Sequence, residues 1–383
     1  MSHYILLIKL QTILLYTVLC IILGGCNSEQ AGDSALIRFN VSATYPEKDI
    51  RLEELADIEY LQLVLDEDYL FRRRPHLITS KKIILSNNGD ILIFSKDGKP
   101  LNKFNRLGMG PQDYPSLSQI IFDETSGEFF VRTPNKFVVY SESGEFKRTL
   151  PIPGGTYRNQ YEIFDSESLL LYDEHNVYPS AFSLISKENG NLIETFKMPK
   201  SNKINLYIQQ ISERNVNIIT APAYRIVKHN AGYLLTDFSL DTVYLLSHDK
   251  TLSPILERKP KIQSMDPVVY LNSFLEAGNY QFVSVVTVKE ENDKLPVAYL
   301  IRDKKTGSIY RQNITFSDFR GKQLFLSPET IANTYSSKLG LIVLGLEELR
   351  AANSENKISG KLKELVENSD EEGNDIYMLL HFK

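Results

Sequence analysis

One pattern occurs three times along this chain, and it constrains the fold more than any other feature. Gly98, Gly144 and Gly190 recur every 46 residues, and each lies between two apolar runs. The three copies occupy residues 91–104, 137–150 and 182–196. An apolar β run, a polar turn with glycine where φ must be positive, and a second β run describe a hairpin. A period of about 40 to 50 residues that contains only strands and turns is typical of a β-propeller blade.

The rest of the chain predicts an all-β, six-bladed β-propeller of four-stranded antiparallel blades. After the three glycine hairpins, further hairpins are predicted around residues 241–250 and at Gly307, and a final strand covers 376–382. Propellers add blades around one axis, so residues 49–383 are predicted to form one domain. Residues 201–221 interrupt the repeat and are predicted to be an insertion.

The two ends of the chain predict how the ring of blades closes. A circular array leaves open strand edges unless both ends of the chain share one blade. We therefore predict that the strand near 58–65 completes the blade that contains 376–382. Between the last blades the apolar spacing becomes helical at 344–352 and at 358–366, which predicts a short helical insertion packed on the last blade.

The N-terminal 25 residues are predicted to be a signal peptide. An apolar run follows Lys9 and ends in Gly24 and Gly25, directly before Cys26. This order is typical of a secretory signal, and the cysteine after small residues resembles a bacterial lipobox. Cys26 is then the predicted lipidation site, and residues 26–48 a lipidated, flexible tether to the outer membrane. The alternative is an uncleaved membrane anchor, but the run is shorter than the roughly 20 residues of a membrane span.

The connection after the first glycine hairpin contains the best candidate for ligand binding. Its residues are Arg106, Gly108, Gly110, Asp113 and Tyr114. Two glycines allow close approach of a ligand, the arginine offers planar donors, and the tyrosine could stack on a sugar ring. In the alternative interpretation, which we favour, the glycines shape a tight crossing between two blades, and Arg106 and Asp113 pair locally.

Sequence motifs for catalysis or metal binding are weak. The histidines at 76, 175, 229 and 248 do not show the spacing of a metal-binding helix, and there is no G-x-S-x-G sequence. Asp173, Glu174 and His175 form the most ligand-like cluster, yet a surface histidine is the preferred interpretation. We therefore predict no catalytic residue, no metal and no cofactor.

The segment from Gly108 to Tyr114 also resembles the Gly-x-Gly-Pro-x-Glu-Tyr signature of a family, with Asp113 in place of the glutamate. The family consists of six-bladed β-propeller lipoproteins of Bacteroidetes, similar in shape to NHL-repeat propellers and long catalogued as a domain of unknown function. The resemblance implies a location in the cell envelope, often beside glycan- or peptide-uptake systems, and a binding or scaffolding role.

Three functions are compatible with these observations. The first is a non-catalytic, lipid-anchored envelope protein that binds a glycan, a peptide or an envelope protein. The second is a lyase or hydrolase with a metal in the central channel, in which His175, His229 and a carboxylate would meet. The third is a structural subunit with a large apolar patch. A net charge of −5 without a basic cluster argues against nucleic acid as a partner.

Overall fold

The computed structural model describes residues 36–64, 75–117, 119–152, 160–174, 179–199, 202–211, 215–370 and 373–383. In these residues the strands form six blades of a β-propeller, as the repeat predicts, together with one separate two-stranded sheet. Cys26 and His175 lie outside the described residues.

The first three strands each join a blade that is formed mainly by residues far along the chain. They are β1 (Ile37–Asn40), β2 (Glu47–Arg51) and β3 (Ala56–Gln62), and the one-turn helix α1 (Leu52–Leu55) precedes β3. The predicted tether of residues 26–48 is therefore too long, since β1 and the start of β2 belong to the fold. Phe39 and Ile50 explain the difference, because both side chains are buried in the core.

Blades 1 to 3 follow the 46-residue repeat. Their strands are β4 (Leu77–Ile78), β5 (Lys82–Asn87), β6 (Asp90–Ser95), β7 (Pro100–Asn105); β8 (Ile120–Asp123), β9 (Glu128–Arg132), β10 (Lys136–Ser141), β11 (Phe146–Pro151); and β12 (Gln160–Ile163), β13 (Ser168–Tyr172), β14 (Phe182–Ser186), β15 (Leu192–Phe196). Gly98, Gly144 and Gly190 have φ values of 82°, 81° and 77°, which confirms the predicted turns. A Cβ at Gly144 would lie 2.6 Å from Phe104, so this turn also packs against the preceding blade.

The predicted insertion is a β-hairpin between blades 3 and 4, and longer strands follow it. The elements are β16 (Tyr207–Ile211) and β17 (Val216–Thr220) of the hairpin; β18 (Ile226–His229), β19 (Gly232–Leu235), β20 (Thr242–Ser247), β21 (Leu252–Lys259); a 3₁₀ turn (Ile262–Ser264); and β22 (Val269–Ala277), β23 (Tyr280–Thr287), β24 (Val297–Asp303), β25 (Ile309–Thr315). Strands β1 and β2 pair in parallel with the outer strands β21 and β25, so blades 4 and 5 have five strands.

Blade 6 closes the ring as predicted, but it differs from the four-stranded pattern. Its strands are β26 (Leu339–Leu344), β27 (Ile376–Phe382) and β3, and β3 pairs antiparallel with β27 along its whole length. The inner position of this blade is taken by helix α2 (Pro328–Ala332) and the segment after it. There the backbone N–H of Ile78 donates to Asn333 (2.8 Å), and that of Tyr335 donates to Ile78 (2.9 Å). Backbone pairing therefore links blade 6 to blade 1 next to the axis.

Two helices lie between β26 and β27, as the helical spacing predicts. They are α3 (Leu346–Ser354) and α4 (Gly360–Glu367), and they bury Leu349, Leu362 and Val366 in the core shared with blades 4 and 5. In the part of the chain that the structure describes, no helix is long and apolar enough to span a membrane.

The order of the strands gives the disc two different faces. The outer strand of a blade ends on the face where the inner strand of the next blade begins, so the crossing loops share that face. This crossover face carries residues 106–119 and the hairpin β16–β17. The opposite face, called the turn face, carries the turns at Gly98, Gly144 and Gly190.

Candidate functional site: the central channel

The main cavity of the described residues lies between the inner strands of the propeller. Its volume is about 930 Å³, and its walls come from β4, β8, β12 and β18 and from residues 332–335 after α2. Small-molecule sites typically occupy about 300 to 1,000 Å³. The cavity therefore has the size of a ligand site.

The hairpin β16–β17 forms part of the wall at the crossover face. Side chains on one side of a strand alternate with those on the other, and here Tyr207 and Ile218 line the cavity while Ile219 is buried on the opposite side. Ile219 packs in a cluster with residues of blade 5, and Gln210 donates to Glu290 of the same blade at 2.7 Å. The hairpin is thus fixed on blade 5 and directs its other side toward the channel.

Charged residues line the crossover end of the channel. Arg132, Glu174 and Arg225 come from the ends of β9 and β13 and from the residue before β18. The Arg225 Nη2 atom lies 3.7 Å from a carboxylate oxygen of Glu174, and its Nη1 donates to the Ala223 carbonyl at 2.9 Å. The guanidinium carbon of Arg132 lies 5.5 Å from the centre of the Tyr161 ring, in cation–π range.

The end of the channel at the turn face is also polar and aromatic. Lys228 on β18 contacts Glu162 on β12 at 2.8 Å. Glu124 accepts hydrogen bonds from Thr79 and Ser80 at 2.8 and 2.6 Å, which orients its carboxylate. Tyr335 is 51% exposed, so one face of its ring is free to contact a ligand at this end.

A buried ion pair supports the wall behind this end. Lys187 at the end of β14 contacts Asp123 at the end of β8, and both side chains are nearly inaccessible to water. Burial alone would raise the pKa of Asp123, but hydrogen bonds from Lys187 and Ser126 and the charge of Lys187 together lower it. Asp123 is therefore ionised at neutral pH, and the pair joins blades 2 and 3.

Tyr114 of the predicted ligand loop is part of the core. Its side chain is 0% exposed and packs between blades 1 and 2, where the ring meets Tyr140 edge to face. The hydroxyl donates to the Gly89 carbonyl (2.7 Å) and accepts from the Arg106 backbone N–H (2.9 Å). Burial raises the pKa of Tyr114 to about 12. The predicted stacking of Tyr114 on a sugar ring is wrong, because no face of the ring is accessible.

The other loop residues have structural contacts as well. Asp113 accepts from the backbone N–H of Gly110 at 2.9 Å, and a Cβ at Gly108 would lie 2.5 Å from the Asp113 carboxylate. Arg106 donates from Nε to the Gly144 carbonyl at 3.0 Å, so its partner is the next blade and not Asp113. None of the predicted loop residues lines the cavity. Ligand binding by Arg106, Gly108, Gly110 and Asp113 stays a prediction.

The histidines within the described residues have separate environments. His76 lines the channel, with Nε2 2.6 Å from the Ser86 hydroxyl, whereas His229 lies 3.5 Å from Glu276. Burial acts to raise the pKa of Glu276, but hydrogen bonds from His229 and Gln281 and nearby positive charges leave it below its usual value. The described residues contain no group of three or more His, Cys, Asp or Glu side chains arranged to hold a metal ion.

Sequence reasoning did not select the residues that line the channel. Glu124, Arg225, Lys228 and Tyr335 fall on short inner strands or beside them, and they are far apart along the chain. The usable signal was the insertion at 201–221, because an insertion between two blades must lie on the crossover face near the channel.

Comparison with solved structures gives the same fold at low sequence identity. A crystal structure of a protein from Bacteroides fragilis, inferred to be exported, matches with a TM-score of 0.62 and 16% identity, covering 91% of this chain and 99% of that one. A member of the DUF4221 family from Bacteroides vulgatus matches with a TM-score of 0.48 and 12% identity, covering 86% and 97%. No curated protein matches this chain. The model of a family described as a domain of unknown function, DUF4934, matches residues 36–381, and the chain therefore belongs to the DUF4934 family.

Proposed function

We propose that this chain is an exported, non-catalytic binding protein of the cell envelope, and that its ligand is an oligosaccharide held in the central channel. The observation that carries the proposal is the cavity of about 930 Å³ between the inner strands, with aromatic and charged side chains at both ends. Binding sites of this size commonly combine an apolar wall with a few placed polar groups.

The side chains in the channel suit a sugar ligand. Tyr335 at one end and Tyr207 at the other present ring faces that can pack on the apolar face of a sugar. Glu124, Glu162 and Arg225 offer carboxylate and guanidinium groups for hydrogen bonds to hydroxyls. Aromatic contacts supply affinity, and the charged groups supply orientation.

The location in the envelope is part of the same proposal. The similar protein from Bacteroides fragilis is inferred to be exported, and the N-terminal sequence of this chain predicts a signal peptide. Lipidation at Cys26 would then anchor the protein to the outer membrane, with the propeller outside the bilayer. Association with an uptake system for glycans is consistent with this arrangement and is included in the proposal.

The test is a binding screen of the mature chain against a set of oligosaccharides, followed by titration calorimetry. We expect Tyr335→Ala to weaken binding of the best ligand about threefold to tenfold, as expected for the loss of one aromatic contact. Met109→Ala is the control, because Met109 is 90% exposed on the loop outside the channel. Absence of binding to every oligosaccharide, or equal binding by Tyr335→Ala and wild type, would contradict the proposal. Binding of peptides only would assign a different ligand class.

A further inference from the structure

We propose that the crossover end of the channel recognises a carboxylate, so that the bound oligosaccharide contains a uronic acid. This inference rests on the proposed function, because it names the chemical class of ligand for the same cavity. The residues that carry it are Arg132, Glu174 and Arg225.

The two arginines reach this end from either side of strand β12. Arg132, in blade 2, lies over the ring of Tyr161 at the start of β12. Arg225 precedes the inner strand of blade 4, and its backbone N–H donates to the Gln160 side chain, also at the start of β12, at 3.0 Å. Both line the cavity. At this end two guanidinium groups accompany one carboxylate, that of Glu174, which leaves a net positive charge.

The guanidinium of Arg225 is held in one orientation. Its carbon lies 5.2 Å from the centre of the Tyr172 ring and 5.4 Å from that of Phe238. Its Nη1 is engaged by the Ala223 carbonyl at 2.9 Å. A guanidinium packed between two rings and tied at one nitrogen has lost most of its rotational freedom before any ligand arrives. Little entropy is then lost on binding.

The remaining edge of this guanidinium is the one that binds carboxylates. Nε and Nη2 form the planar fork that matches the two oxygens of a carboxylate. In Arg225 the Nε atom is buried and makes no hydrogen bond, and Nη2 lies 3.7 Å from Glu174, beyond hydrogen-bond distance. A buried donor without an acceptor is costly, so this edge favours a ligand that supplies one.

Glu174 is a competitor built into the site. Among the described residues its carboxylate is the only one within 4.0 Å of Arg225, and the contact is too long for a hydrogen bond. A ligand carboxylate therefore binds by taking the place of Glu174 beside the fork. This gives an unusual expectation, since removing the charge of a residue in the site should strengthen binding.

The test compares one uronic-acid oligosaccharide with its carboxyl-reduced, neutral form by titration calorimetry. We expect the wild-type protein to bind the acidic form about tenfold or more tightly, as expected for hydrogen bonds to a charged group. Arg225→Gln should bring this ratio close to one. Arg225→Lys keeps the charge but lacks the fork, so it should retain only part of the preference. Glu174→Gln should raise affinity for the acidic form severalfold, whereas Glu194→Gln removes the same charge on outer strand β15 and should not.

The outcomes separate this inference from the proposed function. Equal binding of the acidic and reduced forms, or weaker binding by Glu174→Gln, would overturn the inference and leave oligosaccharide binding in place. A preference for a peptide with a free C-terminus over its amide, without sugar binding, would support the carboxylate site and overturn the uronic acid and the oligosaccharide. Failure of every ligand to bind would overturn both. Loss of preference by a folded Arg225→Lys variant would support the fork directly.

Discussion

Replacing Tyr114 with phenylalanine tests whether the glycine-rich connection is structural or ligand-binding. The substitution keeps the ring, which is buried between blades 1 and 2, and removes only the hydroxyl. The Gly89 carbonyl and the Arg106 N–H then lose hydrogen bonds of 2.7 and 2.9 Å. Leaving such groups unsatisfied costs about 1 to 3 kcal/mol. We therefore expect a loss of about 2 kcal/mol in the free energy of unfolding.

Thermal unfolding of the mature chain measures this loss. At about 2.1 cal/mol/K per residue, a folded unit of roughly 350 residues has an unfolding entropy of about 0.7 kcal/mol/K. A loss of about 2 kcal/mol then lowers Tm by about 3 °C. Tyr335→Phe is the matched control: its residue is half exposed in the channel and should show little change in Tm.

Ligand binding decides between the two interpretations of this loop. The Tyr114→Phe protein should bind ligand with wild-type affinity, because the hydroxyl is buried and lies outside the cavity. An unchanged Tm together with a clear loss of affinity would refute the reasoning and return the loop to the role of ligand site.

Three further predictions concern the framework. Lys187→Met should cost about 3 to 5 kcal/mol, because it leaves the Asp123 carboxylate buried without its cation, and adding Asp123→Asn should recover most of that loss; equal stabilities of the single and double variants would contradict this. The pKa of Asp123 is lowered on folding, so the stability that the pair contributes is present above the unfolded pKa of about 3.9 and is lost as pH falls through the lower folded value; denaturant unfolding of the wild type between pH 6 and 3 should show a steeper decline than the double variant. Gly144→Ala should destabilise more than Gly127→Ala, since both have positive φ but only at Gly144 would the added Cβ clash with a neighbouring blade; similar Tm values for the two variants would show that backbone strain alone decides.

The architecture was predictable because its signals are local and repeated. The glycine turns at 98, 144 and 190 specify three hairpins, and the need to close an open ring places β3 beside β27. The inner position of blade 6 was not predictable. There Ser327 caps a one-turn helix, and a segment so short carries no periodic pattern that distinguishes it from a strand.

The site was not predictable in the same way. The motif from Gly108 to Tyr114 stands out in the sequence because a tight crossing between blades requires glycine and a buried tyrosine, and such requirements are structural. The channel residues Arg225 and Tyr335 follow no motif, since each is a single position contributed by a different inner segment. Only the closed ring brings them together.

A crystal structure of the mature chain with the tightest oligosaccharide from the screen tests the central claim most directly. The account predicts density for the sugar in the channel, with a ring packed on Tyr335 or Tyr207 and, for an acidic sugar, a carboxylate at the Nε and Nη2 atoms of Arg225. Density on the outer surface beside the loop at 106–114, with an empty channel, would contradict it.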